Sequence, residues 1–285
     1  MASRTETRTD ASCSDHAALF AACEQGMALC TIVGIDGAFS RRLGAQLAIG
    51  KDGAIFGSLA DGCLEQQLAS DAAALQAPET RRYGRGSDLI DFRLPCGGGL
   101  DILIDPAPDR AACRLAAEAL ARREPARLVL PENPFLAVRE YIPALAIRVY
   151  GEGPETDALV RIAEAAGIMV EVVYKSSLSL GQEPALPLAD RWTATVLLFH
   201  DHEWEVPILK HALSGPGFYI GAQGGAQARM ERTARLQAEG VDGNAFARVR
   251  SPIGAIRSCR DPETLALSVL AEIAGEYDAQ RPSHR

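Results

Sequence analysis

From Leu145 onward the chain alternates short apolar runs with amphipathic stretches, and this constrains the fold more than any other feature of the sequence. Apolar runs at 146–150, 169–174, 194–200 and 218–221 have the length of buried strands. Helical periodicity occupies 155–166, 206–213 and 226–239, and a last helix is expected over 262–277. Strands separated by helices return in parallel, with the helices packed on the sheet faces. The expectation for 145–278 is therefore a Rossmann-like domain with a mainly parallel sheet.

The first half of the chain lacks that alternation. A helix over 16–26 closes at Gly26, an apolar run follows at 28–35, and strands at 46–49 and 54–56 flank Gly50-Lys51-Asp52-Gly53, whose Asp-Gly pair marks a hairpin. A helix starting near Asp61 has apolar residues at 64, 68, 72 and 75. Strand-like pieces at 80–83, 89–92 and 100–104 precede an Ala-rich helix over 108–123. This mixture predicts an α+β domain over 13–123, so the whole chain reads as α/β. The stretch 124–144 carries Pro125, Pro131, Pro134 and Pro143 with little periodicity and reads as a linker.

Charge and cysteine usage narrow the partners. A net charge of −8 disfavours nonspecific binding to nucleic acid or anionic lipid. The 7 cysteines include no CxxC pair, which argues against a disulfide framework or a zinc knuckle and fits a reducing cytoplasm. No stretch approaches the roughly eighteen uninterrupted apolar residues of a membrane span, and the N-terminus lacks an apolar core, so a cytoplasmic protein is expected.

Two glycine-flanked cysteines carry the chemistry of the first half. In GSLADGCLE, over 57–65, Cys63 stands where a strand passes into a helix, and amides at a helix start favour a thiolate. In LPCGGG, over 94–99, three glycines leave Cys96 approachable. Taken singly, each cysteine reads equally well as a small buried hydrophobe. Arg41 and Arg42, and Arg82 and Arg85 around Gly84, read either as solvated surface or as bidentate donors to a phosphate.

These pieces resemble the XdhC/CoxI accessory proteins of molybdenum hydroxylases. The resemblance rests on RRLGAQLAIGKDGAIFGSLADGCLEQ (41–66), RYGRG (82–86), LPCGGGLDILIDP (94–106), HDHE (200–203), FYIGAQG (218–224) and SPIG (251–254). It implies a cytoplasmic chaperone, not an enzyme, that binds molybdenum cofactor (molybdopterin), holds it for sulfuration and helps insert it into a client of the xanthine dehydrogenase type. The implied contacts are Cys63, Glu65, Cys96, Gly97, Gly98, Arg42, Arg82, His200 and Gly221, with Cys63 and Cys96 at the metal. A cysteine desulfurase as sulfur donor and a homodimer are implied as well.

The second half raises a competing reading, an NAD(P)-dependent oxidoreductase. Gly151-Glu152-Gly153-Pro154-Glu155-Thr156 follows a strand and opens a helix, as a dinucleotide fingerprint does. Thr156 replaces the third glycine, Glu152, Glu155 and Asp157 would repel a pyrophosphate, and Lys175 stands near where an acid usually holds the ribose. NAD(P) is therefore not expected. A better anion site is the turn after Gly221, whose helix bears Arg229 and Arg232. His200 and His202 would share one strand face, which admits a metal reading, although a crevice-lining role suits the end of a parallel strand better. A docking protein with inert cysteines is the third alternative.

Overall fold

The structure, a computed structural model, describes residues 14–59, 62–87, 97–199 and 201–282. The chain divides into two compact units, with the division between Pro143 and Ala144. Among the described residues no helix is long and apolar enough to cross a membrane.

The first unit runs α1 (Ser14–Gln25), β1 (Ala28–Asp36), β2 (Gln46–Ile49), β3 (Ile55–Gly57), α2 (Gly62–Ala74), β4 (Glu79–Gly84), β5 (Gly99–Asp105), α3 (Arg110–Ala121), β6 (Ala126–Val129) and β7 (Val138–Tyr141). An antiparallel sheet takes the order β3-β2-β1-β5-β4. Because strand side chains alternate, β1 feeds two cores: Cys30 and Ile32 pack with Leu64 and Leu68 of α2, and Leu29 packs with α1 and α3. The expected strand at 89–92 lies outside the described residues.

The stretch expected to be a linker holds the β6–β7 hairpin. Ala126, Leu128, Leu130 and Tyr141 join the core under α1 and α3, and the Tyr141 hydroxyl donates to Gln46 Oε1 at 2.5 Å. Asn133 closes the loop: its Oδ1 accepts from the amides of Phe135 and Leu136, and its Nδ2 donates to the carbonyls of Pro131 and Leu136. The prolines lie outside both strands, where their missing N–H breaks no ladder.

The second unit runs β8 (Ala146–Gly151), α4 (Pro154–Ala165), β9 (Met169–Val173), β10 (Thr193–Leu198), α5 (Glu205–Ser214), β11 (Tyr219–Ala222), α6 (Ala226–Ala238), α7 (Gly243–Phe246), β12 (Val249–Arg250) and α8 (Pro262–Asp278). The sheet is parallel throughout in the order β12-β11-β10-β8-β9. This is a doubly wound, Rossmann-like arrangement, and the winding reverses between β8 and β10. Helices α4 and α8 pack on one face through Leu159, Val269 and Ile273, and α5 and α6 on the other through Leu209 and Leu236.

A buried ion pair ties the second face together. Arg232 Nε and Nη2 donate to the Glu205 carboxylate at 2.7 and 2.9 Å, and both side chains are 1% exposed. The same guanidinium donates to Ser251 Oγ and the Gln223 carbonyl, so α5, α6 and the segments after β11 and β12 share one charge. Removing one partner of such a pair strands the other. Glu205→Ala is expected to lower unfolding stability by about 3–5 kcal/mol. Glu263→Ala, which breaks the exposed Arg161–Glu263 contact, should lower it by less than about 1 kcal/mol. Denaturant titration of both variants checks this, and equal losses would contradict it.

Candidate functional site

Strand register in the first unit brings the sequence motifs to one edge of its sheet. Asp36 at the end of β1 lies opposite Gly99 at the start of β5, and Gly84 at the end of β4 lies opposite the same Gly99. Gly57 at the end of β3 pairs with Leu47 near the start of β2. The chain therefore enters or leaves the sheet at this edge next to Gly37, Ser58, Arg85 and Gly98. Helix α2 starts at the same edge, because it follows β3 and hands over to β4 at Glu79, at the far end of the sheet opposite Ile104.

Cys63 is the second residue of α2 and is exposed, off the stripe of Leu64, Leu68 and Ala72 that packs on the sheet. The turn before it is held from two sides. Glu65 Oε1 accepts from the Leu59 amide at 3.2 Å, as a carboxylate in the first turn of a helix can, and Leu59 itself is fully buried. Arg41 Nε and Nη2 donate to the carbonyl and hydroxyl of Ser58, each at 3.2 Å. Further along α2, Asp71 accepts from the Tyr83 hydroxyl at 2.5 Å and from Gln67, and pairs with Arg81 at 2.9 Å, which locks the helix to β4. Burial and then the bond to Asp71 push the Tyr83 hydroxyl well above its ordinary range.

Cys96 lies outside the described residues, directly before Gly97. Gly97 is exposed with φ at 68°, a left-handed conformation that side chains rarely adopt, and a Cβ there would meet open space. Gly98 is buried close to Gly37, where an added Cβ would lie 3.6 Å from the Gly98 Cα.

Arg82, expected to meet a phosphate, is committed to carboxylates instead. It lies across Gly99, where a Cβ would come within 2.5 Å of its Nη2. Nη1 donates to Asp101 Oδ2 at 2.7 Å, Nη2 to Asp36 Oδ2 at 3.0 Å, and Nε to the Arg85 carbonyl at 2.9 Å. Arg85 Nη2 donates to Asp36 Oδ1 at 2.6 Å, and this bond, with Arg82 nearby, holds the Asp36 carboxyl below its usual range. Asp36 and Asp101 were not singled out from the sequence, since acids at strand ends look like solvated surface. Arg42 is exposed in the loop between β1 and β2, at the same edge.

In the second unit the fingerprint turn is arranged against anions. Gly153 caps α4 with φ at 92°, while Thr156, at the third-glycine position, is buried with its Oγ1 2.6 Å from where a Cβ on Gly151 would stand. Lys175 Nζ lies 3.6 Å from Glu152 Oε1 and 3.9 Å from Asp201 Oδ2, and sits over the rings of Phe199 and Trp204. Arg232, expected to serve an anion, is neutralised by Glu205, and Arg229 donates to the Ser251 carbonyl. Gly221 is closely packed on the side where a side chain would stand: a Cβ would come within 2.7 Å of Ile253 Cδ1 and Tyr219 Cε1. His200 lies outside the described residues. Strand β10 ends at Leu198 and a short 3-10 turn spans His202–Trp204, so the strand face that would pair the two histidines does not extend that far. Among the described residues no group of three His, Cys, Asp or Glu could hold a metal ion.

The thiols differ in chemistry as well as place. Burial, then Asp71 and Asp105, pushes Cys30 up to about 12, and burial raises Cys113 to about 11, so neither is a nucleophile at neutral pH. Iodoacetamide on the native protein should label exposed Cys63 readily and label Cys30 and Cys113 at least about a hundredfold more slowly, because burial both shields the two sulfurs and keeps their thiols protonated. Peptide mass spectrometry over time checks this. Equal labelling of Cys63 and Cys30 would contradict the arrangement.

Comparison with known proteins extends the picture. Residues 147–273 match the family model described as the XdhC Rossmann domain, and residues 21–84 match the XdhC and CoxI family. The molybdenum cofactor insertion chaperone PaoD of Escherichia coli (strain K12) is 31% identical over 270 residues, covering 88% of this chain and 83% of that protein. A crystal structure described as a xanthine dehydrogenase from Bacillus halodurans aligns with a TM-score of 0.72 over 94% of this chain and 97% of that one. At 19% identity, that likeness speaks to the fold alone. Both halves match models of one kind of protein and the identity to PaoD runs through most of the chain, so the chain belongs to the XdhC and CoxI family.

Proposed function

We propose that this protein is a molybdenum cofactor chaperone, which holds the cofactor for sulfuration and inserts it into a client hydroxylase of the xanthine dehydrogenase type. The observation that carries the reading is the similarity to a protein named for molybdenum cofactor insertion. The edge of the first sheet supports it: an exposed thiol and an exposed glycine turn stand at the same end of that sheet, on a scaffold held by internal ion pairs. In this reading Cys63 and Cys96 meet molybdenum or relay sulfur from a cysteine desulfurase, since soft thiolates suit both tasks. The amides of Gly97 and Gly98 and the side chain of Arg42 receive the phosphate of the cargo. Glu65 positions Cys63 through Leu59, and Arg82 positions the strand ends through Asp36 and Asp101. His200, which follows β10 in the sequence, is assigned to the cargo as well in this reading. The protein works in the cytoplasm as a homodimer.

The same reading gives the second unit no nicotinamide cofactor. Glu152 stands where a pyrophosphate would arrive, and Lys175, the one basic side chain the sequence offers to a 2′-phosphate, faces Glu152 and Asp201. Cys63→Ser and Cys96→Ser should fold like the parent, as judged by circular dichroism. Each should retain about tenfold less pterin and molybdenum, the scale on which losing support for a metal acts. NAD and NADP should give no calorimetric isotherm. Parental cofactor content in the double variant would sink the chaperone site, and a micromolar NAD isotherm would favour the oxidoreductase.

A further inference from the structure

The first unit contains a cavity of about 320 Å³ that plays no part in the site described above. It opens at the other end of the sheet from Cys63, where Asp105 at the end of β5 pairs with Leu29. Leu29, Leu103, Leu128 and Leu130 supply apolar walls. The charged groups that line it are two acids, Asp105 and Asp109, and no basic residue lines it.

The two acids are not equivalent. Asp109 is the N-cap of α3, and its Oδ1 accepts from the amides of Ala111 and Ala112 at 2.8 and 3.2 Å. Asp105 is 9% exposed, and its Oδ1 accepts from the Ala107 amide at 3.1 Å, while among the described residues no donor reaches its Oδ2. Burial accordingly holds the Asp105 carboxyl above its ordinary range. A carboxylate withdrawn from water into an apolar chamber is costly unless a cation meets it. The protein supplies none on these walls.

We propose that this cavity binds a small primary amine with an apolar body, its ammonium on Asp105 Oδ2 and its body among the four leucines. Size agrees with that class: an apolar cavity of about 150 Å³ takes up benzene, so this one has room for an arylalkylamine. Small-molecule sites are typically of this kind, mostly apolar with a few polar groups that fix orientation.

The test uses the full-length protein with phenethylamine and its neutral analogue phenethyl alcohol, titrated by calorimetry. The amine should bind at least about tenfold more tightly than the alcohol, the scale of a desolvated charge contact. Asp105→Asn keeps the side-chain shape and the bond to Ala107, so it should fold and lose that preference. Ala112→Phe, which fills the chamber from α3, should abolish binding of both. The proposal is overturned if the alcohol binds as tightly as the amine, if Asp105→Asn binds the amine like the parent, or if the folded parent shows no binding at millimolar amine.

Discussion

Two glycines leave the sheet of the first unit bare enough for a charge pair to lie flat across it, and the arrangement of that unit's edge follows. A Cβ on Gly34 would come within 2.5 Å of Asp101 Oδ2, and one on Gly99 within 2.5 Å of Arg82 Nη2. With both absent, Arg82 reaches Asp101 and Asp36 together and binds the ends of β1, β4 and β5 into one frame. The glycine turn before β5 and the start of α2 are presented from that frame. The acids also explain why Arg82 is scaffold: a guanidinium bonded to two carboxylates and a carbonyl has little left for a ligand.

The second unit solves the same problem by burial. Arg232 and Glu205 are removed from water together, and the remaining donors of the guanidinium reach Ser251 and Gln223. At the switch point Lys175 is balanced by Glu152 and Asp201 and covered by aromatic rings. Lys175 and Arg232 thus each have acidic partners within the unit. A parallel sheet of this kind is a scaffold on which many functions are built, and its shape alone does not imply a nucleotide.

Much of the architecture was legible in the sequence, because strand and helix periods differ and the apolar runs are long. Strand 46–49 and the parallel order after Ala146 agree with the reading, as do the helices around Leu159, Leu209 and Leu236. The β6–β7 hairpin was hidden because its strands are short and its prolines draw the eye to a linker, although Ala126, Leu128 and Leu130 do alternate inward. Site chemistry was legible in the residues that stand out locally. Cys63 is exposed at a helix start as its glycines suggested, whereas the partners of Arg82 and Arg232 come from residues far away in sequence, which no local pattern announces. Gly221 shows a related limit: a glycine in open space and a glycine crowded by Tyr219 and Ile253 look alike in one dimension.

The chaperone reading stands or falls on whether the full chain carries the cargo. The direct measurement is pterin fluorescence together with metal analysis on full-length protein purified from a molybdate-fed host. The account predicts pterin and molybdenum in equal amounts, close to one of each per chain. Protein that emerges folded but free of both, under conditions where the host makes the cofactor, would contradict it.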